Sequence, residues 1–199
     1  MSSKEIHIEF TNEHVARYNG EGFKLFFAVG VGGNPTFNVV AQTYDIAPRL
    51  IISWHDEFKI AATRPEFHDG GRIEYATDPA SIKFDQVYTL PSDWFRGKVT
   101  DEKLPKKSFK MVNDTDREAA AVVFKRIDGE YLPIYVSHPP IDPQGNELLT
   151  PSETVALWFQ PWGESGSMVS VNKRDISTFD LSHQYELKVK FNGSKFTVV

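Results

Sequence analysis

The chain contains no cysteine among its 199 residues. That excludes disulfides, thiolate nucleophiles and cysteine-ligated metal centres, and it fits a reducing compartment. Basic charge is scarce: 22 Lys and Arg stand against 27 Asp and Glu, a net charge of −5. The electrostatic term that drives nucleic-acid binding is missing, so no nucleic-acid partner is expected. The one basic cluster, between Lys103 and Lys110, lies beside acidic stretches and reads as solvated linker. Long apolar runs are lacking too. None approaches the roughly 20 residues that span a bilayer, and the first residues carry no apolar signal-peptide core. The expected location is cytoplasmic, with no membrane span. Catalytic signatures are also missing: there is no G-x-S-x-G elbow, phosphate loop, dinucleotide fingerprint or H-E-x-x-H. Gly30-Val31-Gly32-Gly33 runs into Asn34-Pro35 and a further strand, so it reads as a hairpin turn. A phosphate cradle would need a helix N-terminus there.

What the chain does have is aromatic residues and alternation. Aromatics make up 13% of it, with 15 Phe, and such residues suit a pleated, half-buried surface. Period-two alternation predicts strands over residues 6–10, 23–31, 37–45, 50–63, 72–77 and 81–90. A second series is predicted over residues 109–112, 120–127, 134–137, 154–160, 168–172 and 178–191, with a closing strand over 195–199. Asn192-Gly193 is the strongest hairpin signal. Helical signal is poor. Residues 12–18 could hold one turn, and Thr115 with Glu118 could cap a helix, but residues 120 onward are read as strand.

The two series match. Glu21-Gly22-Phe23 and the residues after it can be laid over Glu118-Ala119-Ala120, about 97 positions later. At nearly that offset Gly32 meets Gly129, Asp78 meets Asp175, Tyr88 meets Tyr185 and Leu90 meets Leu187. The expected fold is therefore all-β: an antiparallel β-sandwich with an internal duplication. Residues 1–95 would form the first half, 96–108 a linker and 109–199 the second half. Each half is near the size at which one core becomes marginal, so packing between halves is expected.

The matched long hairpins end in Arg64-Pro65-Glu66-Phe67-His68-Asp69-Gly70-Gly71 and Gln160-Pro161-Trp162-Gly163-Glu164-Ser165-Gly166. Each offers an aromatic ring, an acid and glycines. A sugar stacks its C–H face on such a ring and hydrogen-bonds acids and donors with its hydroxyls. Loops on a rigid scaffold are where binding concentrates. The expected binding residues are Arg64, Phe67, His68, Asp69, Gln160, Trp162 and Glu164, with Phe67 and Trp162 stacking. The expectation is a non-enzymatic, lectin-like protein for carbohydrate or a similar polar ligand, without cofactor or metal. A bland alternative folds both rings back onto the sheet. Two other functions stay open: a self-assembling homo-oligomer, in which Phe26 and Trp158 would make the contacts, and a metal-dependent or cofactorless enzyme. His55 with Glu57 could chelate a metal from one strand face, and residues 142–147 are oxygen-rich, but both read better as polar surface and turn.

Overall fold

The computed structural model describes residues 3–170 and 175–199. They form strands and turns with one short helix. The first half contains β1 (Ser3–Glu9), α1 (Asn12–Gly20), β2 (Lys24–Val31), β3 (Gln42–Tyr44), β4 (Arg49–Thr63), β5 (Ala80–Ile82), β6 (Gln86–Leu90) and β7 (Lys98–Asp101). The second contains β8 (Phe109–Asn113), β9 (Ala120–Ile127), β10 (Glu130–Val136), β11 (Asn146–Leu149), β12 (Pro151–Gln160), β13 (Ser177–Asp180), β14 (Glu186–Phe191) and β15 (Phe196–Val198).

Alternation places the inward residues. In β14, Leu187, Val189 and Phe191 are buried while Glu186, Lys188 and Lys190 are exposed. β2 and β12 bury both faces. Phe27 joins the principal core, and Phe26 joins a second cluster with Val40, Ala156, Trp158 and Val169. The adjacent aromatic pairs are thus covered by the chain itself, as a near-continuous apolar strand requires. One core unites all three sheets through Ile6, Phe27, Tyr88 and Leu157. α1 is longer than the single turn expected. Thr11 caps it by accepting from the His14 amide, and Tyr18 stacks on Phe159 at 4.7 Å.

Several elements differ from expectation. Asp85, at φ 62°, divides the 81–90 segment into β5 and β6, and a turn at Ser182 likewise separates β13 from β14. The 72–77 segment makes only a bridge, Arg72 to Ser167. The 96–108 stretch contains β7, so it is sheet as well as connection. The pairing is not wholly antiparallel: β1 runs parallel to β14, and β6 parallel to β8. The end of the expected 168–172 strand lies outside the described residues.

The seven-stranded sheet has the order β10-β9-β4-β1-β14-β15, with β5 on β4. The two four-stranded sheets run β11-β8-β6-β7 and β13-β12-β2-β3. Strand pairings of the same sense can be set side by side, two by two. β4 with β9 answers β12 with β2, and both are antiparallel. Parallel β1 with β14 answers parallel β8 with β6. β1 with β4 answers β8 with β11, and β6 with β7 answers β14 with β15. β2 with β3 and β4 with β5 are answered by β9 with β10 and β12 with β13. In the first two of these correspondences a strand of one half is hydrogen-bonded to a strand of the other.

Two buried phenols, Tyr88 and Tyr135, and the half-buried Tyr44 are expected to make the fold sensitive to alkali. Burial raises the pKa of Tyr44, Tyr88 and Tyr135 above the ordinary 10.0. Tyr44 also donates to Asp128 and Tyr135 to Glu147, which favours the neutral phenols further. A folded pKa above the unfolded value means the stabilisation is complete below about pH 10 and lost as pH rises beyond it. Urea unfolding followed from pH 8 to 12 should show stability falling above about pH 10. Tyr44→Phe and Tyr135→Phe together should flatten that fall, and an identical slope in the double variant would contradict the assignment.

Candidate functional site

β4 ends at Thr63 and β12 at Gln160. The segments that follow, which carry the two expected tips, are bound to each other. Gly70 N donates to Met168 O at 2.8 Å, Met168 N to Gly71 O at 2.7 Å, and Ile73 N to Gly166 O at 3.0 Å. The segment around Val39 and Val40 braces them through a Val39–Met168 bridge and a Gly166 N to Val40 O bond of 2.8 Å. The tips therefore stand side by side on a hydrogen-bonded base.

Local chemistry holds the Trp162 ring out. Gly163 has φ 137°, and a Cβ there would lie 2.7 Å from the Phe26 ring, so only glycine lets this turn rest on the buried phenyl. Gln160 donates from Nε2 to Trp162 O at 2.6 Å and accepts from Trp158 Nε1 at 3.2 Å. Gln160 thus positions the turn more than it faces a ligand. The Trp162 side chain is left 65% exposed. It borders a groove of about 290 Å³ lined by Asp69, Gly70, Arg72, Gln160, Trp162 and Glu164. Asp69 is oriented by accepting from Ser170 N at 2.7 Å.

Arg64 and His68 line an adjoining cleft of about 630 Å³ with Glu66, Arg72, Glu74 and Tyr75. The His68 ring lies against Gly71, where a Cβ would fall 2.1 Å from Nε2. Arg72 borders both spaces. Phe67 goes elsewhere: it is half-buried and stacks on His138, with centroids 4.5 Å apart and planes at 23°. Of the seven expected residues, four therefore share the groove, two share its neighbour, and Phe67 stands apart from Trp162.

Sequence reasoning missed Arg72 and Tyr75. Both fall in the segment read as a strand, Arg72-Ile73-Glu74-Tyr75. Its position directly after a glycine-rich tip was the available signal. Tyr75 is 51% exposed and meets Phe124 edge to face. In the other candidate clusters, Glu57 and Glu147 are engaged internally. Arg126 lies 2.8 Å from Glu57, which holds that carboxylate below its usual pKa. Glu147 accepts from Tyr135 at 2.7 Å and from Ser137 at 2.5 Å.

Chemically, the groove offers one flat apolar ring edged by two carboxylates and a guanidinium. No helix among the described residues is long and apolar enough to cross a membrane. Comparison with protein-family models, with curated proteins and with solved structures finds no match.

Proposed function

We propose that the chain is a non-enzymatic, lectin-like binding protein that seats a carbohydrate or similar polar ligand on Trp162. The observation that carries this reading is the exposed Trp162 ring sharing a groove with Asp69, Glu164 and Arg72. An exposed indole favours an apolar face laid against it. Carboxylates and a guanidinium beside it complement ring hydroxyls as acceptors and donors. Arg64 and His68 extend the surface for further sugar units. The tips act as adjoining subsites on one face, which binds a longer ligand rather than two separate ones. The self-assembly reading lacks support from the residues it invoked, since Phe26 and Trp158 are buried.

The same proposal includes a sandwich-like body made of two related halves. The recurring strand pairings support it, as does a backbone contact between the tips that is centred near Gly71 and Met168. Strands shared between halves make it one folding unit.

A glycan array followed by fluorescence titration tests the function. The parent chain should bind a glycan saturably and shift its tryptophan emission. Trp162→Ala should weaken binding at least about tenfold, the equivalent of ~1.4 kcal/mol, and Trp162→Phe should retain part of it. The absence of any bound glycan, or equal binding by Trp162→Ala, removes the proposal.

A further inference from the structure

We propose that Glu5, His7 and Glu186 form a surface site for a divalent late first-row transition ion, distinct from the Trp162 groove and independent of it. β1 lies inside the seven-stranded sheet, between β4 and β14. Its parallel pairing sets Glu5 opposite Glu186 and His7 opposite Lys188. Glu5 and His7, two apart on one strand, project to the same outer face, while Ile6 and Leu187 point into the core. Three ligand-type side chains thus converge from two hydrogen-bonded strands. His7 Nε2 lies 2.8 Å from Glu5 Oε1 and 3.5 Å from Glu186 Oε1. One ligand atom from each residue can be chosen so that all three lie within 4.8 Å of one another.

Those separations suit an ion. Bonds of about 2.0–2.2 Å in a tetrahedron place ligand atoms roughly 3.4 Å apart. His7 and Glu5, now 2.8 Å apart, need to part by about 0.6 Å, and small side-chain rotations bring in the rest. The imidazole ligand selects the class of ion. Calcium and magnesium take oxygen ligands, whereas imidazole with carboxylates suits zinc and its neighbours. Nε2 gives its lone pair to the metal, so the ring proton resides on Nδ1. The remaining coordination position is left to water. The backbone under all three ligands is already fixed by the sheet, so binding orders no loop.

Lys188 opposes the site. Its Nζ lies 3.9 Å from Glu186 Oε1, where it partly neutralises that ligand. The ion would displace this contact and tie β1, from the start of the chain, to β14, near its end.

Titrating chelator-treated full-length protein with zinc sulfate by calorimetry, alongside thermal melting, tests the site. One equivalent should bind and raise Tm. Calcium and magnesium at the same concentration should do neither. His7→Ala and Glu186→Gln should each weaken zinc binding more than about tenfold. Lys188→Ala should tighten it, and His183→Ala should leave it unchanged. Both ligand substitutions sit on the solvent side of the sheet, so unchanged melting without metal will show that the variants fold. Failure of the parent chain to bind zinc one-to-one, or parent-like binding by both His7→Ala and Glu186→Gln, overturns the proposal.

Discussion

Asp56→Ala is expected to destabilise the fold by about 3 kcal/mol or more, whereas Lys125→Met should leave stability unchanged or raise it. Lys125 is 1% exposed, its ammonium 3.4 Å from Asp56 and above the Phe58 ring at 5.3 Å. Burial lowers its pKa, and Asp56 and Glu153 act against that shift. A depressed lysine pKa means that the charged form is what costs stability. The cost is fully present below the folded pKa and fades as pH rises through it toward the unfolded value. Removing Asp56 leaves that charge without its nearest counter-charge, and such losses exceed what the pair itself contributes. Methionine instead fills the volume with apolar atoms and abolishes the charge.

The pair exists because of a bulge. The β4–β9 register shifts between His55 and Phe58, and the extra residues turn Asp56 to Lys125 and Glu57 to Arg126. Urea denaturation of both variants at pH 7 decides the matter. Equal losses for Asp56→Ala and Lys125→Met would mean that packing, not unbalanced charge, sets the energetics here.

Gly97→Ala is the second large expected effect, about 3 kcal/mol, at the upper end for overpacking. A Cβ at this position would fall 2.0 Å from Tyr88 Cζ. Tyr88 has no room to yield. It is fully buried in the principal core, and its hydroxyl lies 3.0 Å from Thr77 Oγ1, which accepts from Ala62 N at 2.9 Å. Moving the ring would break a buried hydrogen bond and disturb the contact between β4 and the 76–77 segment. Gly33→Ala, where nothing lies within 4 Å, is the matched control. If the two variants have the same Tm, the close approach to Tyr88 is not a constraint in solution.

Gly97 also illustrates what was hidden. Composition marks residues 96–108 as linker because they are polar, with Gly97 and Pro105 among them. Yet β7 pairs with β6 there, and Gly97 is required by a ring nine positions earlier in the chain. Local polarity reports solvent on one face of a segment and carries no record of what packs on the other. Strand starts and stops were more legible. The expected bounds of β9 match the structure, and β4 and β12 lie within a few residues of theirs. Alternation and turn residues act over neighbouring positions, so they survive in a single sequence. Asp85 was an exception: its positive φ broke a run that alternation had joined.

The candidate site divides the same way. The tips were visible as proline, aromatic, acid and glycine following long strands. Their meeting was not, because it depends on β4 crossing to β9 and β12 crossing to β2. Phe67 and Trp162 looked equivalent in sequence. His138, brought in from the second half, captured Phe67, while Gly163 on Phe26 held Trp162 outward.

By itself, the sequence determined the β class, most strand positions, the inward faces and the hairpin tips, since each rests on spacing along the chain or on the φ preferences of single residues. Tertiary structure alone decided the pairing of β4 with β9 and of β12 with β2, the two parallel pairings, the groove that Trp162 borders and the triad of Glu5, His7 and Glu186. Each of these depends on which distant backbone satisfies a strand's hydrogen bonds, and many partners would satisfy the same local pattern equally well.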